Sequence, residues 1–407
     1  MMKFENCEIL FVTGNVFPYN GINGSHLTTF CLLNQILLVG GKVTVLTFPD
    51  EMTNDSKDIF ESNYKLDINN LSIYGEIGAN RKLDKISNFN YVTSVDNLLN
   101  RKKYDYIILY DWISVEIFNP FFDNSDFKFI TITVDLCHLV AYQRFKNYFL
   151  KSVPIRAKIH TGFKYLLKVY KYRKFQKMSL SHSSLVNINQ AFHHSQWLKK
   201  KGVNVKYLPL FLDFGTQNQL SNRIIEDKFS IMLIGGTKGI ISIRTLETLF
   251  NVVIPNLEKK IKNSFVINYC GQFNYKDLPG NLIKKINKAD CFNIKGYVDS
   301  FENEVNKNSV FLVASDLKIG FRTRIAEAMA YGALIIVHQS NLLGMPELIN
   351  YENVIVAKDQ RDIYRKIIEV YNMTEIEQNR IRKNALNTYL KSYYITETFT
   401  KFNSWLN

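Results

Sequence analysis

The chain has 407 residues, of which 46% are hydrophobic and 22% are charged, so it can form two or three domains with substantial cores. Its five cysteines are scattered and contain no C-x-x-C pair, which argues against a disulfide framework or a zinc site and predicts reduced thiols in a cytoplasm. No apolar run approaches the roughly 18 residues that a membrane span needs, so we expect a protein in solution or on a membrane surface.

The first part of the chain has the pattern of a parallel sheet. Buried runs predict strands, and the run between the first two of them predicts a helix at 25–38, which Gly40 and Gly41 end. Strand, helix and strand in this order form a βαβ unit, so a parallel sheet is expected. The predicted strands are 8–13, 43–48, 105–110 and 128–134.

The net charge of +14 belongs to one segment. Residues 136–212 contain 15 Lys and Arg and no Asp or Glu, whereas the rest of the chain contains 36 basic and 37 acidic residues. Its densest part, 144–177, mixes basic residues with Phe and Tyr. This combination favours an anionic membrane surface. A solvated helical face is the main alternative, and single-stranded nucleic acid is the least favoured partner.

A second series of strands and helices is predicted from residue 229 onward. Buried runs mark its strands, and apolar positions at helical spacing from Ile243 to Leu257 mark a helix that Pro255 bends or interrupts. The fold class is therefore α/β, with two Rossmann-like, doubly wound domains facing across a cleft, and ligands are expected at the carboxyl ends of the strands. The strands are 229–234, 265–270, 292–295, 310–314 and 354–357.

The domain boundaries follow from this alternation. We expect one Rossmann-like domain at 1–212, a second at 213–385, and a C-terminal helix at 386–407 that packs back on the first domain. A linker is predicted around 208–215.

The most informative segment is 319–347, which reads IGFRTRIAEAMAYGALIIVHQSNLLGMPE. Its helix places Ile325, Ala328 and Met329 on one buried face, and Arg324 and Glu327 on another stripe. A helix N-terminus flanked by arginines can hold phosphate, and a carboxylate one turn later can accept hydrogen bonds from a ribose diol. A glycine C-cap at Gly332 and a buried strand at 333–337 are predicted to follow.

This segment resembles the donor-binding motif of GT-B glycosyltransferases, particularly glycosyltransferase family 4. That motif runs roughly E-G-F-G-x-x-x-x-E-A-M-A-x-G and is followed by a strand and a G-x-x-E turn. Two departures stand out, because Ile319 replaces the glutamate that faces the transferred sugar and Arg322 replaces a loop glycine. Some members have a G-x-x-[KR]-[TS]-[KR]-x-x-E loop, which GFRTRIAE resembles. The donor-binding residues that the resemblance implies here are Gly320, Phe321, Arg322, Thr323, Arg324, Glu327 and Glu347.

The resemblance also implies residues elsewhere. Lys238 matches a Lys-Gly pair that contacts the donor diphosphate, and Gly24 belongs to an imperfect glycine-loop pattern after the first strand. Family members commonly have His-Asp at the end of the strand predicted at 128–134, where this chain has Val134 and Asp135. Asp135 is the expected catalytic residue that orients or deprotonates the acceptor, with helix capping as its alternative role, and His138 is a substitute for the missing histidine.

The resemblance implies a retaining, metal-independent glycosyltransferase without a cofactor, with its acceptor-side domain at 1–212 and its nucleotide-sugar-binding domain at 213–385. It would move a sugar from a UDP- or GDP-linked donor to a glycan or lipid-linked acceptor, in the cytoplasm and on the inner face of the plasma membrane, for cell-surface polysaccharide or glycolipid synthesis. No nucleic-acid partner is expected. Two alternatives remain: a non-catalytic GT-B subunit that binds a glycan or a partner enzyme, and a sugar-nucleotide epimerase.

Overall fold

A computed structural model describes residues 3–14, 24–47, 71–75, 95–96, 98–150, 155–182, 185–215, 228–237, 240–262 and 264–406. The chain divides into two compact units. The first unit comprises Met1–Asp213, Ile319–Phe321 and Ile395–Asn407, and the second comprises Phe214–Lys318 and Arg322–Tyr394.

The first unit contains a parallel sheet of seven strands in the order β3-β2-β1-β4-β5-β6-β7. Its strands are β1 Glu8–Thr13, β2 Lys42–Thr47, β3 Leu71–Gly75, β4 Tyr106–Tyr110, β5 Phe129–Thr133, β6 Leu185–Asn189 and β7 Val205–Tyr207. The strand order reverses between β1 and β4, which makes a topological switch point: the connections that follow these two strands leave in opposite directions. Its helices include α1 Gly24–Leu38, α2 Trp112–Phe118, α3 Cys137–Leu150, α4 Ile155–Ser179 and α5 Phe192–Lys200.

The second unit contains a parallel sheet of six strands in the order β10-β9-β8-β11-β12-β13, with its switch point between β8 and β11. Its strands are β8 Phe229–Ile234, β9 Phe265–Cys270, β10 Phe292–Gly296, β11 Val310–Val313, β12 Ile335–His338 and β13 Ile355–Ala357. Its helices include α6 Ile240–Thr248, α7 Ile254–Ile261, α8 Gly280–Ile286, α9 Phe301–Lys307, α10 Thr323–Ala330, α11 Gln360–Tyr371 and α12 Glu375–Ser392.

The C-terminal helix α13, Ile395–Ser404, belongs to the first unit. Within that unit, the rings of Phe399 and Phe402 pack on Phe4 with centroid distances of 5.9 and 5.7 Å. The N–H of Ile395 donates to the carbonyl of Leu212 at 2.8 Å. The aromatic contacts give the final helix a hydrophobic interface with the start of the chain.

The α/β class with two Rossmann-like sheets is confirmed, and most predicted strands lie where they were expected. The sequence pattern does not single out β3, β6 and β7. The helix predicted from Ile243 to Leu257 comprises α6, a π-helical turn at Leu249–Val253, and α7, which follow one another without a break in helical backbone. Pro255 lies directly after the π-helical turn, where the α-helical hydrogen-bond pattern is interrupted near the predicted position.

Candidate active site

Helix α10 carries the central motif of the second unit. Ile325, Ala328 and Met329 are fully buried, as the helical spacing predicts. The helix ends in a Schellman motif, in which Gly332, with φ +63°, donates to the carbonyl of Met329 at 3.0 Å and Ala333 donates to that of Ala328 at 2.9 Å. This tight ending turns the chain directly towards β12.

Arg324 and Glu327 form the charged pair of the site. Arg324 Nη1 donates to the carbonyl oxygen of Ile234, the last residue of β8, at 2.8 Å. The partly buried guanidinium therefore brings a permanent positive charge to the carboxyl end of a strand at the switch point. Glu327 is also partly buried, and burial raises the pKa of its carboxyl to about 7 although Arg324 opposes that rise. A carboxyl with such a pKa is typical of a binding or catalytic site.

A row of glycines forms the edge of the sheet beside Arg324. Gly235 and Gly271 directly follow the last residues of β8 and β9, and Gly296 is the last residue of β10. The N–H of Gly271 donates to the carbonyl of Gly296 at 2.6 Å. A Cβ atom at Gly271 would lie 2.5 Å from the carbonyl oxygen of Gly235, and one at Gly235 would lie 2.2 Å from Ser242 Oγ. Side chains cannot be accommodated there, so the strand ends present bare backbone, which a diphosphate can approach closely.

The other predicted donor-binding residues of this loop have different environments. Arg322 is buried and donates through Nε to Asn341 Oδ1 at 3.1 Å and through Nη2 to the carbonyl of Leu317 at 2.8 Å. These bonds join the loops that follow β11 and β12. Thr323 is the first residue of α10, and Phe321 is buried.

Glu347, in the G-x-x-E turn, is tied to helix α12. Its Oε2 accepts a hydrogen bond from the hydroxyl of Tyr393 at 3.0 Å, and its carbonyl accepts one from Asn353 Nδ2 at 2.8 Å. Tyr393 is fully buried. The position of the carboxylate is therefore fixed from outside the motif.

In the first unit, Asp135 follows β5 and lies against Gly320. Gly320 has φ +62°, and a Cβ atom there would lie 2.2 Å from Asp135 Oδ1. Both residues belong to the first unit, because segment Ile319–Phe321 is part of it. Glycine at position 320 is thus required twice, for its backbone conformation and for the space that the carboxylate occupies.

His138 lies in the first turn of α3 and is buried. Its Nδ1 is 2.7 Å from Gln176 Oε1, which accepts, so Nδ1 carries a proton. Its ring centroid is 4.4 Å from that of Trp197, and burial lowers its pKa. Because Nδ1 is engaged with Gln176, Nε2 is the ring atom through which His138 would act as the substitute histidine.

A different carboxylate caps α2. Asp111 has φ +82°, and its Oδ1 accepts the N–H groups of Ile113 at 2.9 Å and Ser114 at 3.1 Å. Its Oδ2 accepts the N–H of Gly14 at 3.0 Å. These bonds join the ends of β1 and β4 and give Asp111 a structural role.

Lys238 and Gly24 complete the set of predicted donor-binding residues. Lys238 lies outside the described residues. Gly24 is the first residue of α1.

Helices α3 and α4 contain most of the densest part of the basic segment, 144–177. Among the described side chains of α4, large apolar ones are exposed with helical spacing and form one stripe, which we call the α4 stripe: Ile159, Phe163, Leu166, Leu167 and Tyr170. Met178, near the end of the helix, is also exposed. Exposed basic residues flank or follow the α4 stripe: Lys164, Lys171, Arg173, Lys174 and Lys177. Among the described residues, no helix is long and apolar enough to cross a membrane.

Comparison with known families gives a match in the second unit. Residues 229–373 match the family model of the glycosyl transferases group 1. This range begins at β8 and includes the glycine edge, Arg324, Glu327 and Glu347. No curated protein sequence matches the chain.

Solved structures resemble the whole chain in fold. A glycosyltransferase from Rickettsia africae superposes with a TM-score of 0.69 at 11% identity, covering 98% of this chain and 99% of its own. The sucrose-phosphate synthase of Thermosynechococcus elongatus gives 0.70 at 14% identity, covering 98% of both chains. HepE of Anabaena, solved with UDP and glucose, gives 0.66 at 11% identity, covering 98% and 99%.

The two sheets and these similarities define the GT-B fold. Together with the glycosyl transferases group 1 match over the second sheet, they make this chain a glycosyltransferase.

Proposed function

We propose that this chain is a retaining, metal-independent glycosyltransferase that moves a sugar from a UDP- or GDP-linked donor to a glycan or lipid-linked acceptor. It would work on the cytoplasmic side of an anionic membrane, in cell-surface polysaccharide or glycolipid synthesis. The observation that carries the proposal is the Arg324–Glu327 pair beside the glycine edge of the second sheet. HepE, which shares the fold, was solved with UDP and glucose, and this supports a nucleotide-sugar donor.

Each group has a distinct task in this proposal. The Glu327 carboxylate accepts hydrogen bonds from the ribose hydroxyls. Arg324, the N-terminus of α10 and, as the resemblance implies, Lys238 neutralise the diphosphate as its negative charge grows in the transition state. Glu347, fixed by Tyr393, contacts the donor as the resemblance implies. Arg322 holds the loop that presents these groups, through its bonds to Asn341 and Leu317.

The transfer then proceeds on one face of the sugar. The bond between the anomeric carbon and the diphosphate oxygen breaks, and the acceptor oxygen bonds to the same face of that carbon. The leaving diphosphate oxygen takes the proton of the acceptor hydroxyl, so no enzymic nucleophile is needed. Asp135 orients the acceptor hydroxyl, and His138 Nε2 is the candidate for assisting it. Ile319 offers no carboxylate for a covalent intermediate.

The donor site is tested first by binding and turnover. UDP and GDP are titrated into the wild type by calorimetry, and hydrolysis of UDP- and GDP-sugars is followed in parallel. We expect one of the nucleotides to bind and Glu327→Ala to abolish turnover, whereas the exposed Glu258→Ala, in the same unit, behaves like the wild type. Nucleotide binding without turnover in the wild type would favour a non-catalytic subunit, and unchanged activity of Glu327→Ala would contradict the site.

Two further properties follow from the same mechanism. The product should have the anomeric configuration of the donor, which NMR of the freshly formed product reveals. Activity should be the same with EDTA as with added Mg²⁺, because side chains and a helix terminus supply the positive charge. An inverted product, or activity that returns only with a divalent cation, would contradict the proposal.

The α4 stripe is proposed to dock the first unit on lipid. Apolar side chains on one face of a helix enter the acyl boundary, while neighbouring basic residues contribute about 1 kcal/mol each near anionic headgroups. Phe163 and Tyr170 are 63% and 68% exposed, so both have large surface to bury.

Vesicle sedimentation tests this surface. The wild type should bind vesicles containing phosphatidylglycerol and bind phosphatidylcholine vesicles far less. The double variant Phe163→Ser/Tyr170→Ser should lose about 2 kcal/mol, roughly thirtyfold in affinity. Ile376, which is 83% exposed in the second unit, provides the control Ile376→Ser, which should bind like the wild type. If the double variant binds these vesicles as strongly as Ile376→Ser, the α4 stripe is a solvated helix face and not a lipid-binding surface.

A further inference from the structure

The turn after β5 is held by side chains from three other elements. The carbonyl of Val134 accepts from Asn189 Nδ2 at 3.1 Å and lies 3.3 Å from His194 Nδ1, and the carbonyl of Asp135 accepts from Trp112 Nε1 at 2.6 Å. Asn189 ends β6, His194 lies in α5, and Trp112 begins α2. Two successive carbonyls are thus fixed by three donors that are distant in sequence.

Each donor is itself held in one orientation. Asn189 is fully buried, and its Nδ2 also donates to Thr133 Oγ1 at 2.9 Å while its Oδ1 accepts from Ala191 at 2.9 Å. The amide therefore cannot be flipped without losing these bonds. A carbonyl oxygen only accepts, so His194 Nδ1 must carry a proton, which fixes the tautomer of this fully buried ring. The indole of Trp112 has one N–H, and the Asp135 carbonyl takes it.

These hydrogen bonds also place polar side chains in the interior of the first unit. Polar side chains as deeply buried as Asn189 and His194 cost free energy unless their hydrogen bonds replace those to water. Bonds to both carbonyls restrain the peptide planes on either side of the Asp135 Cα, and thereby the direction of its Cα–Cβ bond. Its Oδ1 occupies the space beside Gly320, where a Cβ atom would lie only 2.2 Å from it.

We propose that Trp112, Asn189 and His194 form a carbonyl clamp that positions the Asp135 carboxylate for the acceptor. His194 and Asn189 both contact the carbonyl of Val134, and Trp112 contacts that of Asp135. The clamp residues are positioning residues, since they act through Asp135. The inference rests on the proposed function, in which Asp135 orients the acceptor hydroxyl. Misplacing such a group by about 1 Å costs on the order of a hundredfold in rate.

Substitutions at His194 separate positioning from other roles. The amide of Asn can place its Nδ2 near the site of the imidazole Nδ1, so His194→Asn keeps the donor to Val134 and removes the rest of the ring. His194→Ala removes both. We expect kcat for transfer to fall roughly a hundredfold in His194→Ala and to return to within about fivefold of the wild type in His194→Asn. The affinity for UDP or GDP should be the same in all three proteins.

One control and one further test variant accompany the kinetics. His182 lies in the first unit and has its Nδ1 3.0 Å from Asp123 Oδ1, so His182→Ala removes a histidine hydrogen bond away from the turn and should leave kcat unchanged. Trp112→Phe keeps an aromatic ring but removes the donor to the Asp135 carbonyl, and should lower kcat as His194→Ala does. Circular dichroism and thermal unfolding confirm that each variant is folded.

A spectroscopic measurement tests the clamp without activity. With ¹³C-labelled aspartate, the carboxyl resonance of Asp135 should shift in His194→Ala and return in His194→Asn, and ¹⁵N shifts should show His194 with its proton on Nδ1. Failure of the wild type to turn over any donor would remove the proposed function but not the clamp, which these shifts still decide. A resonance that does not move in His194→Ala, or equal loss of kcat in both His194 variants, would overturn the inference.

Discussion

Replacing Glu327 by Gln should raise the stability of the protein without ligand and lower its affinity for the donor. Burial raises the pKa of this carboxyl from 4.5 to about 7, so above pH 7 the folded second unit contains a charged group that would be more stable in water. The difference is about 2.5 pKa units, and at about 1.4 kcal/mol each it amounts to about 3 kcal/mol. Glutamine has nearly the same shape and carries no charge, so it avoids this penalty.

The sign of the pH dependence follows from linkage. Because the folded pKa lies above the unfolded one, the folded state binds more protons between pH 4.5 and 7, and the stability of the wild type falls as pH rises through that window. Below pH 4.5 the carboxyl is protonated in both states and the penalty disappears. Glu327→Gln should therefore match the wild type at pH 4 and exceed it at pH 8.

Thermal unfolding by calorimetry measures this difference. A gain of about 3 kcal/mol at pH 8 corresponds to an increase of roughly 10 °C in the melting temperature of a unit of this size. The exposed Glu258→Gln should leave the melting temperature unchanged at both pH values. If Glu327→Gln is less stable than the wild type at pH 8, the carboxylate makes a net favourable bond in the folded protein, and its assignment to the donor site is wrong.

Donor affinity should depend on pH in the opposite sense. Only the ionised carboxylate accepts from both ribose hydroxyls, so the affinity of the wild type for UDP or GDP should fall roughly tenfold between pH 8 and pH 6. The affinity of Glu327→Gln should be low and nearly constant over that range. Calorimetric titrations at the two pH values measure both quantities, and a pH-independent affinity in the wild type would contradict the role of Glu327.

Three further predictions concern the supporting structure. Gly271→Ala places a Cβ atom 2.5 Å from the Gly235 carbonyl at a φ of +112°, so it should destabilise the second unit by about 3 kcal/mol and abolish nucleotide binding, whereas Gly280→Ala, with open space around it, should unfold at or above the wild-type temperature. Tyr393→Phe removes the hydrogen bond to Glu347 and should cost about 1 kcal/mol and raise the donor KM, with the exposed Tyr371→Phe as control; an unchanged KM would separate Glu347 from the donor. Asp111→Ala should lower the stability of the first unit by about 2 kcal/mol in urea unfolding, because it loses the cap and leaves alanine at φ +82°, and Asp111→Asn should recover most of it; equal losses would show that charge is the larger part.

Much of the fold could be predicted from the sequence because its strands are buried on both faces. β4 and β5 are completely buried, and such continuous apolar runs are easily recognised. β6 and β7 could not be recognised in this way. β6 carries the buried polar residues Asn187 and Asn189, whose side chains bond to other elements, and β7 has only three residues. These strands lie in the basic segment, whose composition points to surface helices.

The site could be predicted only where its residues are close in sequence. Arg324 and Glu327 share a stripe of one helix, so their spacing indicates that they lie together. The carbonyl clamp depends on bonds across 23, 55 and 60 residues, and the contact of Gly271 with Gly235 depends on the pairing of two strands. Only the Gly-Gly pair at 235–236 indicates a close backbone approach, and nothing in the sequence identifies its partner.

The contrast between two glutamates of the second unit separates a binding carboxylate from a structural one. Glu377 completes the capping box of α12, and its hydrogen bonds with Thr374 lower the pKa of its carboxyl, because the folded protein stabilises the charged form. Glu327 lies on a helix of the same unit, and there the folded protein destabilises the charged form. A carboxylate that served folding would be selected for the first behaviour. The second is expected where a ligand compensates the charged form, so the direction of the pKa shift at Glu327 agrees with the position of this carboxyl on the helix that places Arg324 at the end of β8.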